Sequence, residues 1–225
     1  SAINEYEKLL DDHPKSPSAI EAQYQVAECY YKLNNHEKAI ENYGKFISLY
    51  PEGSRSRLCA YKIGDMYQES EKFQEAYDQY QKVLRQYTNN YAARQCLEKI
   101  KPLLTSCTQI NVSRDDSYYM GLVLFYAKQY KDAREEFEKA IKDTDDLSER
   151  ASYFMAQSLH KEGSYDLAQK EYEAFIKTYT NSQYVIESEY NIAECVWKSG
   201  KTDEAIKLLT KFASDYPKSS LADDA

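Results

Sequence analysis

Glycine, proline and histidine are scarce in this chain, at 6, 5 and 3 residues of 225. So few chain breakers leave little for the turns of a sheet protein and point to long helices. The histidines His13, His36 and His160 are far apart, none with a second His at i+4 or an acidic partner at ligand spacing, so no metal and no cofactor is expected. There is no glycine-rich phosphate loop and no nucleophile elbow, and no catalytic residue is expected. No run approaches the roughly 18 apolar residues of a membrane span. Cysteines 29, 59, 96, 107 and 195 contain no C-x-x-C, and an odd number cannot pair completely within one chain. They read as small residues buried in helices. A net charge of −8 argues against a nucleic-acid partner. No signal peptide or lipidation motif is visible.

Tyrosine, by contrast, is abundant at 23 residues. A tyrosine buries a large ring yet keeps a hydroxyl for water, which suits helix layers only two deep. The organising stretch is Gln23–Pro51, two amphipathic segments joined by a short polar turn. Ala39 opens its second segment, and Ala2, Ala76, Ala133, Ala168 and Ala205 repeat that position at steps of 37, 37, 57, 35 and 37 residues. Twelve residues before each full-repeat alanine stands a small residue: Ala27, Gly64, Gly121, Ala156 and Ala193. Four after it comes Tyr43, Tyr80, Phe137, Tyr172 or Leu209. Recurrence in one register at such a period is the signature of stacked helix hairpins, none of which can bury its apolar face alone.

The pattern predicts a lone second helix at 2–12, then helix pairs at 19–33 with 37–49 and 56–70 with 73–87. Pairs resume within Asp115–Ile141, Glu149–Tyr179 and Ile186–Tyr216. The 57-residue step marks an insertion at 89–112, with one helix at Tyr91–Lys101 that Pro102 should kink or end. Its local charge of +2 (Arg94, Lys99 and Lys101 against Glu98) suits either an irregular joint or a docking patch. The expected organisation is an N-terminal block at 1–88, the joint at 89–112 and a C-terminal block at 113–225. Because Ala2 falls mid-repeat and the closing PKSSLADDA matches the earlier PKSPSAIEA at residues 14–22, the chain reads as a segment of a longer array.

These small residues at these offsets resemble the tetratricopeptide repeat. The resemblance implies an all-α fold, a right-handed α-solenoid of antiparallel helix pairs with about five full repeats and partial ends. It also implies a concave wall lined by first helices and a protein or peptide ligand. The Tyr50-Pro51 and Tyr216-Pro217 ends and the stretch Ala19–Ala27 are similar to repeats of bacterial envelope proteins, the outer-membrane-assembly lipoprotein and the periplasmic Tol-Pal coordinator. The 57-residue junction and the ends at Thr88 and Asp145 depart from that pattern, and five cysteines are unusual in a periplasm. The implied compartment is the envelope, with the cytoplasm as the alternative.

One first-helix stripe lies outside the small-residue core, at 18, 15, 11 and 8 residues before the signature alanine. At 15 back stand Tyr24, Tyr61, Tyr118, Tyr153 and Tyr190. Glu28, Asp65, Leu122, Gln157 and Glu194 stand at 11 back, and Tyr31, Gln68, Phe125, His160 and Trp197 at 8 back. At 18 back only Arg150 is basic, which argues against a clamp for acidic C-termini. The stripe reads in two ways: as filler between helices, or as a tyrosine ladder for a basic, apolar partner. The expected function is a non-catalytic scaffold binding a partner through that wall. The alternatives are a self-associating module, hence a homo-oligomer, and a regulatory domain of a larger protein.

Overall fold

The computed structural model describes residues 1–14 and 16–223, and among them there are twelve α-helices and no strand. The fold is an all-α solenoid of helix pairs. Lys15, Asp224 and Ala225, which belong to the two matching terminal motifs, lie outside the described residues.

Two compact units divide the chain, Ser1–Asn111 and Val112–Ala225. The first holds α1 (Ala2–Asp12), α2 (Pro17–Lys32), α3 (His36–Leu49), α4 (Ser54–Glu69), α5 (Phe73–Gln86) and α6 (Tyr91–Ser106). The second holds α7 (Arg114–Tyr126), α8 (Tyr130–Ala140), α9 (Asp146–Glu162), α10 (Tyr165–Thr178), α11 (Val185–Lys198) and α12 (Thr202–Asp215). Starts are fixed by side-chain caps: Ser16 accepts from the Ala19 amide at 3.2 Å, and Ser113 and Asp116 form a reciprocal capping box. In the second unit Arg114 ties α7 to the next turn, with its guanidinium on both Asp145 oxygens at 2.9 and 3.1 Å.

Each hairpin turns by one device. The residue five before the signature alanine is left-handed: Asn34 (φ 54°), Glu71 (58°), Lys128 (63°), Gly163 (92°) and Gly200 (83°). The amide after each returns to a carbonyl five residues earlier, as in Lys72 to Tyr67 at 2.9 Å and Ser164 to Leu159 at 2.9 Å. That bond closes the helix C-terminus. Asn34, Gly163 and Gly200 are the residue types such turns favour, whereas Glu71 and Lys128 are not.

Small residues let the paired helices touch. A Cβ on Gly121 would stand 2.6 Å from Phe137 Cε1, and one on Gly64 would stand 2.7 Å from Tyr80 Cδ1. Ala27, Ala156 and Ala193 hold the same place at 0–1% exposure. Around them, rings four and seven residues past the signature alanine fill two of the cores, Tyr43 with Phe46 and Tyr172 with Phe175.

The insertion expected at 89–112 is a first helix in register. Ala93, Cys96, Leu97 and Ile100 are buried 37 residues after the buried Ser56, Cys59, Ala60 and Ile63. The 57-residue step is thus a full 37-residue step plus 20 residues, and α6 is a first helix without its second. Lys101 stands where Ala27 and Gly64 stand, and it is exposed because no second helix crosses there. Pro102 does not end α6, which runs on to Ser106. Pro102 and Glu98, whose carbonyl the proline cannot bond, are both exposed, so the lost bond faces solvent.

Candidate functional site

The stripe expected to bind a partner is where consecutive hairpins meet. In the first unit Tyr24 and Tyr31 are half-buried around Glu28. Glu28 accepts from the Tyr43 hydroxyl at 2.6 Å and from Lys62 of α4, thirty-four residues further on. The Lys62 ammonium lies 5.1 Å from the Tyr31 ring centroid, 5.6 Å from Tyr43 and 6.0 Å from Tyr24. Three faces and one carboxylate make an aromatic box for a cation. Burial alone would raise the Glu28 carboxyl, but bonds from Lys62, Tyr43 and Tyr24 outweigh it and hold it below the usual range. Burial and the Glu28 bond push the Tyr43 phenol far up, so it stays a donor.

One repeat later Asp65 accepts from the Tyr80 hydroxyl at 2.7 Å and pairs with Lys99 of α6 at 2.8 Å. Lys99 also lies 5.5 Å from the Tyr61 centroid. Lys62 and Lys99 occupy one register position, fourteen before the signature alanine or its place in α6.

In the second unit the same position is Phe154, and the stripe it meets is Tyr118, Leu122 and Phe125. Phe154 meets Tyr118 at 6.3 Å and Phe125 at 5.4 Å. At the next joint the position is Asn191, 8% exposed, and the stripe is Tyr153, Gln157 and His160. Tyr153 stacks on Tyr184 at 4.2 Å, Gln157 reaches Glu187 at 3.3 Å, and His160 lies 3.6 Å from Glu194. Burial pushes the His160 imidazole below its ordinary value, against the pull of Glu194.

Position 14 back thus matches the stripe it covers: lysine against a carboxylate among rings, phenylalanine against an apolar stripe, asparagine against polar groups. This pairing is not legible from repeat register alone, because it joins a residue of one repeat to a stripe of the one before.

The stripe is therefore unevenly open. Tyr118, Leu122, Tyr153 and His160 are 4%, 8%, 2% and 8% exposed, packed at the joints with neighbouring hairpins. Tyr24, Glu28, Tyr31, Tyr61, Asp65, Phe125 and Gln157 are half-buried at joints. The last repeat differs. Trp197 is 53% exposed, and the Glu194 side chain is one-third exposed. With Tyr190, Thr202, Ala205, Ile206 and Leu209 they line a groove of about 280 Å³ between α11 and α12.

Other chemistry is sparse. Burial pushes the Cys59, Cys96 and Cys195 thiols up to about 12, so they stay protonated at neutral pH. Among the described residues no three His, Cys, Asp or Glu gather as a metal site, and no helix is long and apolar enough to cross a membrane.

Two family models, both described as tetratricopeptide repeat, match residues 21–53, 59–90 and 187–219, and residues 118–182. The chain belongs to the tetratricopeptide repeat family. No curated protein matches it. Among solved structures it is similar to YrrB, described as a TPR protein with an unusual peptide-binding site, at 20% identity over 96% of this chain and 95% of that one, TM-score 0.45. It is also similar to the C-terminal part of a TPR repeat-containing protein from Cytophaga hutchinsonii, at 19% identity over 99% and 92%, TM-score 0.46. A third is a chain of the APC/C hetero-tetramer Cut9-Hcn1, at 15% identity over 99% of this chain and 44% of that chain, TM-score 0.50.

Proposed function

We propose that this chain is a non-catalytic scaffold that holds another protein through its first-helix stripe. The family is in general a protein–protein interaction module. The observation that carries the reading is the stripe at the α11–α12 groove, where Trp197 is more than half exposed beside the carboxylate of Glu194. Large stiff rings beside a carboxylate are hot-spot material. A basic, apolar partner fits them. The resemblance of the repeat ends to envelope repeats favours a partner in the bacterial cell envelope, with the cytoplasm as the alternative.

The test places a photo-crosslinking residue at position 197, and at exposed Lys170 of α10 as the comparison, in cells of the source organism. Adducts with one defined protein from 197 alone support the reading. Equal labelling from both positions, or none from 197, sinks it. Self-association is the second reading, because an exposed apolar stripe can also meet a second copy. Light scattering over a concentration series separates the two, and a concentration-independent monomer counts against self-association.

A further inference from the structure

Three of the stripe tyrosines are roofed by a large side chain from the next first helix or its cap, and Tyr61 is not. Arg55 of α4 lies 5.1 Å from the Tyr24 ring centroid and is held there by Glu21. Arg150 of α9 lies 5.0 Å from the Tyr118 centroid. Tyr184, the N-cap of α11, stacks on Tyr153 at 4.2 Å. Arg55 and Tyr184 stand thirty-one residues beyond the tyrosines they cover, and the residue thirty-one beyond Tyr61 is Ala92 of α6. A pocket of about 170 Å³ opens there between α4 and α6, lined by Arg57, Leu58, Tyr61, Tyr91, Ala92 and Gln95 among others. The covering helix is in place, so the space is left by a short side chain and not by a missing element.

The rim differs as well. Leu58 stands at the register of Glu21, the carboxylate that holds Arg55, and it is 45% exposed. Tyr91 is 66% exposed. Arg57 is the one charged residue in the lining; it lies 5.6 Å from the Tyr87 centroid and donates to the Glu52 carbonyl at 3.5 Å. Arg94 repeats that register position in α6, three residues on from Tyr91, and it is exposed. Among the described residues neither guanidinium is paired with a carboxylate, whereas Arg55, Lys62 and Lys99 all are.

Resting on the scaffold reading above, we infer that this pocket takes an aromatic side chain of the partner, from a segment whose neighbouring residues are acidic. The chain's own roofs are of two kinds, a guanidinium or a ring. A guanidinium is disfavoured over Tyr61, because no carboxylate lines the pocket to hold it and Arg57 repels it. A ring can stack on Tyr61 as Tyr184 does on Tyr153, with Leu58 and Tyr91 at its edges. Acidic residues on either side of it then meet Arg57 and Arg94. Pockets for free small molecules start at about 300 Å³, so this one suits a single side chain. The charge it selects is opposite to that expected beside Glu194, which makes it a separate contact.

The test uses the full chain and three fluorescein-labelled peptides: Asp-Glu-Phe-Glu-Asp, and the same peptide with Arg or Ala in place of Phe. Binding is followed by fluorescence polarisation. The Phe peptide should saturate, and the Arg and Ala peptides should bind at least about tenfold more weakly. Ala92→Arg rebuilds over Tyr61 the roof that Tyr24 has, and should abolish binding at an unchanged melting temperature. Leu58→Glu, on the exposed rim, should weaken it too by setting a carboxylate against the peptide. Arg57→Gln combined with Arg94→Gln should weaken it about tenfold and flatten its salt dependence. Equal affinity for the Phe and Ala peptides, a preference for Arg, binding that survives both Ala92→Arg and Leu58→Glu, or no saturation with any peptide overturns the inference. None of these outcomes decides the scaffold reading, which stands or falls on the adducts from position 197.

Discussion

The ammonium of Lys62 sits on the carboxylate of Glu28, thirty-four residues earlier, inside a wall of three tyrosines. Both side chains are mostly covered, so this pair is neither a solvated surface bridge nor a dry one. Lys62→Met leaves Glu28 charged against the Tyr43 hydroxyl with no cation and should destabilise the first unit by about 2 kcal/mol. Glu28→Gln added to it should recover half or more of the loss, a coupling of about 1 kcal/mol in a double-mutant cycle by urea denaturation. Additive losses would mean that the box does not act as a unit. The sign with pH follows from the lowered Glu28 carboxyl. Its stabilisation is present above the ordinary value of 4.5 and lost as pH falls below it.

Gly64 faces the ring of Tyr80, which is fully buried and pinned by bonds from its hydroxyl to Asp65 at 2.7 Å and Gln68 at 3.2 Å. A methyl group there would stand well inside contact distance of a ring that cannot swing away. Gly64→Ala gains about 1 kcal/mol of helix propensity and loses more to the clash. The net expectation is a loss of about 1–2 kcal/mol, and Gly121→Ala against Phe137 should behave alike. A neutral or stabilised Gly64→Ala protein would show that the ring moves freely.

Glu71 and Lys128 hold the left-handed turn position that glycine holds at 163 and 200. All five positions form the same returning bond, so the conformation is imposed by the hairpin and not chosen by the residue. Removing the side chain relieves strain of about 1–2 kcal/mol and returns part of it as added unfolded-state freedom. Glu71→Gly and Lys128→Gly should each stabilise the protein by about 0.5–1 kcal/mol, read as a raised denaturation midpoint. A fall in the midpoint for either would contradict the strain argument.

The signature alanines, the small-residue partners and the apolar residues four and seven positions on were all legible in the sequence, because each obeys a constraint inside its own hairpin. Thus the lone helix at 2–12 matches α1, and the expected pairs match α2–α5 within two residues. The α6 register was also there to be read, in Ala93, Cys96, Leu97 and Ile100. Lys101 hides it, standing where a crossing second helix would require a small residue. The strained turns at Glu71 and Lys128 left no trace, since their residue types carry no turn preference. For the stripe, residue type showed the rings but not their covering, because whether Tyr153 faces solvent or Tyr184 is decided by the neighbouring hairpin.

His160 gives the second unit a dependence of stability on pH. It lies 8% exposed in α9, edge-on to Tyr165 and Tyr172 at 5.8 and 6.2 Å, with Glu194 at 3.6 Å. Burial, with smaller help from Lys161 and Lys198, outweighs Glu194 and lowers its pKa from the ordinary 6.5. A base whose folded value is depressed binds its proton more readily once unfolded. Its contribution is therefore constant above 6.5, and stability falls as pH drops below 6.5 toward the folded value. His160→Gln keeps a polar group of similar reach without the titration. Melting temperatures between pH 7.5 and 5 should fall less steeply for His160→Gln than for the parent protein. Parallel slopes would mean that Glu194 compensates the imidazolium fully, and a steeper parent slope above pH 6.5 would assign the titration to another group.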